Sequence, residues 1–167
     1  MGRELRKVPS TWEHPKDEYG QYIPLLGRSF GADLASWHKG KEMWEKGFHR
    51  SFFSGDPAWV GIPEEYRGIS FAEWDGDEPQ EADYMPDWNP LSCPFFMMYE
   101  DTSEGTPISP KFATPEALAR WLADNEVSAF ADMTATYDQW LTTINRGWAL
   151  SAVYTPETGQ LVPGTNM

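Results

Sequence analysis

Phe95-Phe96-Met97-Met98-Tyr99-Glu100-Asp101-Thr102-Ser103-Glu104-Gly105 is an apolar run that ends in turn residues, and it reads as a strand entering a tight connection. Ile108 to Phe112 returns as a second strand. Pro107 and Pro110 confine that strand to a sheet edge, because proline cannot donate to the ladder. Thr114-Pro115-Glu116 then supplies a helix N-cap, a proline at the first helical position and an acid in the first turn. Leu118, Trp121 and Leu122 follow at i, i+3, i+4. A further helix starts at Thr136, where Gln139 completes a capping box. Tyr137, Trp140, Leu141 and Ile144 share one face of it before Gly147 stops it. Strand, hairpin, helix and helix over 95–150 predict an α+β fold: a small antiparallel sheet packed with about three short helices, joined by long irregular segments rich in proline and acid.

The third helix is expected at 33–46, with Asp33 as N-cap, Leu34, Trp37 and Trp44 on one face and Gly47 at its end. Gly40 weakens it by up to ~1 kcal/mol relative to alanine. Residues 1–31 show no helical period and are expected to wrap the core in extended form. Residues 51–71, broken by Pro57 and Pro63, are expected to be irregular. The 167 residues are read as a single domain.

Charge divides the chain unevenly. It holds 26 acidic against 13 basic residues, and residues 68–110 contain ten acids with no lysine or arginine. That balance argues against direct nucleic-acid binding, which needs a basic face, and against attraction to anionic lipid. No apolar run is long enough to span a bilayer. Residues 68–94 are expected to form an acidic loop whose part 73–94 is extended and faces solvent, since proline and like charge both oppose compact helices. Trp74, Tyr84, Met85 and Trp88 are out of place in a plain linker and are expected to pin the loop to the core or to a partner.

Catalytic signatures are weak throughout. His14, His38 and His49 lack the spacing of a metal site. Asp75-Gly76-Asp77-Glu78 starts like a calcium loop but carries Pro86 where the twelfth-position glutamate belongs. Glu73 with Asp75, or Glu100 with Asp101, offers the carboxylate pair that a glycoside hydrolase requires, beside aromatics of the kind that stack on sugar rings. Cys93, the single cysteine, lies between Ser92 and Pro94 with nothing to activate it. No nucleophile elbow, phosphate-binding loop or dinucleotide fingerprint is present, and no cofactor is implied.

The string Met98-Tyr99-Glu100-Asp101-Thr102-Ser103-Glu104-Gly105-Thr106-Pro107-Ile108-Ser109-Pro110, followed by Phe112, Thr114-Pro115-Glu116, Leu118-Ala119 and Trp121-Leu122-Ala123-Asp124-Asn125, resembles a family of small proteins encoded by tailed bacteriophages and prophages. Gly2-Arg3, Leu5-Arg6, Val8-Pro9, Trp12, His14-Pro15 and Met85-Pro86-Asp87-Trp88 are similar to it as well. The resemblance implies a phage or prophage gene expressed in the bacterial host cytoplasm, and it carries over no catalytic residue. It also implies the roles common among small acidic phage proteins, countering host defence or assisting virion assembly.

Together these readings predict a non-enzymatic acidic inhibitor, acting like a nucleic-acid mimic. Its expected partner is a host protein or ribonucleoprotein complex with a basic surface, such as a CRISPR surveillance complex or a restriction enzyme. Glu73, Asp75, Asp77, Glu78, Glu81, Asp83 and Asp87 are the expected phosphate-like charges, and Trp74, Tyr84 and Trp88 the expected anchors. The alternatives are a virion accessory protein and a carboxylate-dependent hydrolase or sugar-binding module.

Overall fold

The computed structural model describes residues 2–51, 58–100, 105–149, 152–155 and 160–166. In chain order these form β1 (Arg3–Val8), α1 (Phe30–Glu45), β2 (Phe48–Ser51), β3 (Ala58–Gly61), α2 (Phe71–Asp75), β4 (Phe95–Glu100), β5 (Thr106–Pro107), α3 (Pro115–Asp124), β6 (Ser128–Phe130), β7 (Met133–Thr134), α4 (Tyr137–Arg146), β8 (Trp148–Ala149), β9 (Ala152–Thr155) and β10 (Gln160–Pro163). The fold is α+β. Although the sequence reads as one domain, the chain divides into two compact units. One comprises Met1–Gly27 with Met85–Met167, and Arg28–Tyr84 is inserted into it as the other. Among the described residues no helix is long and apolar enough to cross a membrane.

The first unit is built on a four-stranded antiparallel sheet ordered β5-β4-β1-β8. β4 is the expected strand, but its edge partner β5 is Thr106–Pro107 rather than the expected Ile108–Phe112, of which only Phe112 bridges back, to Phe96. The turn at 102–104 lies outside the described residues. β1 corrects the expectation of an N-terminal wrap. It is an inner strand, pairing Arg3–Val8 against Glu100–Phe95 on one side and Arg3 and Glu4 against Ala149 and Trp148 on the other. The pattern was hidden because two of its inward positions are arginines. Buried Arg6 donates to Leu25 O at 2.8 Å and to the Glu4 carboxylate at 2.8 Å, and its guanidinium lies 4.2 Å from the Tyr99 ring centroid. Buried Arg3 donates to Ser128 O at 2.8 Å and stands opposite Glu100, which is itself buried. Glu100 is therefore not among the outward-facing acids.

Alternation along β4 separates two apolar clusters. Met98 packs with Leu118 and Leu122 of α3 and with Trp140 and Ile144 of α4. Met97 and Tyr99 face the other way, into Val8, Trp12, Met85, Trp88 and Phe95. α3 and α4 start as the sequence predicts, with Thr114 and Thr136 as N-caps and the Thr136–Gln139 capping box, and α4 stops as predicted at Gly147 in the left-handed region. His14 holds residues 12–23 against β4. Its Nε2 donates to Ile23 O at 2.6 Å, so its Nδ1 accepts from the Tyr99 hydroxyl at 3.0 Å, and that oxygen accepts from Trp12 Nε1 at 3.2 Å. Burial holds His14 below its ordinary pKa. The unit's two segments meet where the insertion leaves and returns: Met85 N donates to Leu26 O at 2.9 Å.

In the inserted unit, α1 begins three residues earlier than expected. Ser29 is the N-cap and accepts from Ala32 N. Asp33 sits in the first turn instead, where it accepts from Arg28 and from the Tyr84 hydroxyl. β2 and β3 form a hairpin over part of the segment expected to be irregular; its connection, 52–57, lies outside the described residues. The expected extended loop over 73–94 is also corrected. α2 occupies its start, and single 3-10 turns cover Glu81–Asp83 and Pro90–Ser92. The Ser70–Glu73 capping box nucleates α2 despite the surrounding acids.

Candidate functional site: an acidic segment beside an aromatic groove

Within Arg28–Tyr84, two tryptophans of α1 fix α2. Trp37 Nε1 donates to Gly76 O at 3.0 Å and Trp44 Nε1 to Ile69 O at 3.1 Å, one bond at each end of the short helix. Phe71 fills the space between them, its ring centroid 5.4 Å from Trp37 and 6.1 Å from Trp44. The approach is close because α1 carries Gly40 there: a Cβ at that position would lie 2.4 Å from Phe71 Cζ. Trp74 packs on Trp44, His49 and Tyr66, at 5.3, 5.2 and 4.8 Å between ring centroids. Such aromatic contacts contribute about 0.5–1.5 kcal/mol each beyond area burial. α2 is thus held by ring packing and two indole hydrogen bonds rather than by its own length.

This scaffold presents carboxylates. Glu73, Asp75, Asp77, Glu78, Glu81 and Asp83 are all exposed. Glu73 is committed to the helix cap: it accepts from Ser70 N at 2.7 Å and from Ser70 Oγ at 2.8 Å, and these bonds hold its pKa below the usual glutamate value. Glu78 stands 3.3 Å from His38 Nε2. Asp75, Asp77, Glu81 and Asp83 have no ion-pair partner among the described residues. The whole unit carries twelve acidic and six basic residues.

The expected anchors behave differently from one another. Tyr84 is buried, donating to the Asp33 carboxylate at 2.8 Å and packing 5.4 Å from Phe30, so its ring is not offered to a partner. Trp74 is half-buried, tied to α1 yet with a face open to a groove. Asp87 and Trp88 belong to the other unit. Asp87 is exposed, while Trp88 is half-buried against Trp12, with ring centroids 4.8 Å apart. The ten residues read from the sequence are therefore eight in the insertion and two in the sheet unit.

Sequence reasoning missed the groove. It has a volume of about 1280 Å³ and is walled by Gly40, Trp59, Val60, Phe71, Trp74 and Asp75, so it draws on α1, the β2–β3 hairpin and α2. Lys39, His49 and Arg50 line its α1 and hairpin side. Lys39 is paired with Glu42 at 3.0 Å, and Arg50 lies over the Trp59 ring at 6.0 Å. The one local hint was a glycine in the middle of a helix, which marks a close approach as readily as a weak helix. No family model, curated protein or solved structure matches the chain.

Proposed function

We propose that the chain is a non-enzymatic acidic binding protein of phage or prophage origin. In this reading it acts in the bacterial host cytoplasm on a nucleic-acid-handling defence complex, and its inserted unit presents carboxylates to a basic surface of that complex. One observation carries the reading. Asp75, Asp77, Glu81 and Asp83 project from a segment pinned at both ends of α2, without ion pairs among the described residues. Charges held in place before encounter steer association and lose little entropy on binding, which is what a substitute for a phosphate backbone requires.

The test uses purified CRISPR surveillance complexes and restriction endonucleases as probes, with DNA binding measured at rising salt in the presence of the chain. The expected result is competition with DNA that weakens as salt rises. Asp75→Lys, Asp77→Lys and Glu78→Lys together lower the competition by about tenfold or more, because like charges brought together at an interface cost several kcal/mol. A triple variant that stays folded and competes as well as the parent refutes the reading.

A further inference from the structure

A second cavity, of about 700 Å³, lies wholly within the sheet unit and owes nothing to the acids of the insertion. One wall is the segment 12–22, with Trp12, Lys16 and Tyr22. The other is 107–111 together with Trp121 of α3. Both walls are fixed by bonds already made. Residues 15–23 form a hairpin closed by Ile23 N donating to Pro15 O at 3.0 Å and Asp17 N to Gln21 O at 2.8 Å. Asp17 Oδ1 caps its tip, accepting from Tyr19 N and Gln21 N at 2.9 Å each. Lys16 and Tyr22 bridge across it, and the Lys16 ammonium lies 4.7 Å from the Tyr22 ring centroid. On the far wall Ser109 Oγ accepts from Met98 N at 2.9 Å and donates to Pro110 O at 2.8 Å. Lys111 Nζ ties the walls together, donating to Trp12 O at 2.6 Å and to the Glu13 carboxylate at 3.0 Å.

The hydrogen-bonding inventory of these walls selects the ligand. Trp12 Nε1, both ring nitrogens of His14 and the Ser109 hydroxyl are spent on the fold. Lys16 Nζ, the Tyr22 hydroxyl and Trp121 Nε1 have no hydrogen-bond or ion-pair partner among the described residues. All three are donors, and one carries a charge. The lining holds Lys16, Lys111 and Glu13 beside a neutral His14. Glu13 answers Lys111 at 3.0 Å, so the positive charge of Lys16 is the one left over. The chain's overall excess of acid does not cancel it, because at physiological salt fields fade over about 8 Å. Trp12, Tyr22 and Trp121 supply ring surface, for which a flat aromatic ligand is the best match.

We infer that this cavity binds a small molecule in which a flat aromatic ring carries an anionic group, a carboxylate or a phosphate. The ring lies among Trp12, Tyr22 and Trp121, and the anion meets the Lys16 ammonium. Uncommitted donors and an unanswered cation favour an acceptor-rich anion and oppose a cationic ligand of the same shape. The site stands apart from the proposed function: it belongs to the sheet unit, whereas the carboxylate surface belongs to the insertion.

The experiment titrates the full, nitrogen-15-labelled chain and follows the indole N–H signals of its nine tryptophans by NMR. The probes are indole-3-acetate, tryptamine (the same ring with a cation), acetate (the anion without a ring) and adenosine 5′-monophosphate. Indole-3-acetate is expected to shift the Trp12 and Trp121 signals and to bind about tenfold or more tightly than tryptamine or acetate. Adenosine 5′-monophosphate tests phosphate in place of carboxylate: binding of either ring-bearing anion at Trp12 and Trp121 supports the site, and the tighter of the two names its anionic group. Lys16→Glu, at an exposed position whose side chain makes no hydrogen bond among the described residues, is expected to reverse the order of indole-3-acetate and tryptamine while signal dispersion shows the fold intact. Failure of both ring-bearing anions to move the Trp12 and Trp121 signals overturns the inference. So does equal binding of tryptamine or of acetate, or an unchanged order in Lys16→Glu. Shifts confined to Trp37, Trp44 and Trp74 also overturn it, since they place the ligand in the insertion. None of these failures touches the carboxylate reading, which the competition with DNA tests separately.

Discussion

Replacing Gly40 with alanine tests whether the α1–α2 contact is as tight as the structure shows. The added Cβ would lie 2.4 Å from Phe71 Cζ and 3.1 and 3.2 Å from Cε2 and Cε1, against a comfortable carbon separation of about 3.5–4.0 Å. The ring must retreat by roughly 1 Å. It is 8% exposed and confined by Trp37 and Trp44, whose indoles are themselves tethered to Gly76 and Ile69. Overpacking of this kind costs about 1–3 kcal/mol, and the gain in helix propensity returns up to about 1 kcal/mol. The net expectation is a loss of about 1–2 kcal/mol. Gly31 in the same helix is the control, since a Cβ there meets only Ser29 Oγ at 3.9 Å. Gly31→Ala should therefore stabilise by about 0.4–1 kcal/mol through the unfolded chain. Native-state hydrogen exchange of the α1 amides reads both changes locally. Gly40→Ala should speed exchange by about tenfold, at 1.4 kcal/mol per decade, while Gly31→Ala slows it. Equal protection in the two variants would show that Phe71 is free to move, and would remove the account given of α2.

Two further outcomes follow from the sheet unit. His14 is neutral in the folded protein with its pKa pushed below 6.5 by burial, so the unfolded chain takes up its proton first as pH falls. Stability should be level above pH 6.5 and decline below it until the lower folded value is reached. Urea unfolding across that window should show the decline in the parent, and His14→Gln should lack this component; identical profiles would contradict the assigned hydrogen bonding. Ala131 has φ 49° in the turn between β6 and β7, a region that disfavours a Cβ. Ala131→Gly is expected to raise stability by about 0.5–1 kcal/mol in thermal unfolding, and a loss of stability would mean that the turn is not strained.

Local chemistry made α3 and α4 readable. Thr114-Pro115-Glu116 and the Thr136–Gln139 pair act within a single turn, so neighbouring sequence is enough to identify them. β4 was readable from its apolar run, whereas its edge partner was placed at Ile108–Phe112 and pairs instead through Thr106 and Pro107, before the residues that looked like a strand. β1 was not readable, because Arg3 and Arg6 occupy inward positions where alternation calls for apolar residues, and their acceptors, Ser128 O and Leu25 O, are distant in sequence. Ser29 and Asp33 both suit an N-cap, and only the Tyr84 hydroxyl, 51 residues away, reveals what Asp33 does instead. α2 carried its capping box in plain view at Ser70 and Glu73, but the prolines and acids after it outweighed five helical residues. The exposure of the acids was legible from charge density. The groove was not, since Gly40, Trp59 and Trp74 meet only through tertiary packing.

The hydrogen bond from Met85 N to Leu26 O gives the inserted residues a closed doorway in the sheet unit. Chain leaves and re-enters at adjacent points, so whatever lies between them places no demand on strand register or helix packing in the host. Ring-closure entropy rises only with the logarithm of length, and doubling the excursion costs about 0.6 kcal/mol. Such a doorway makes the fold modular: a longer, shorter or altogether different passenger at 28–84 is expected to leave the host scaffold's pairing and packing unchanged.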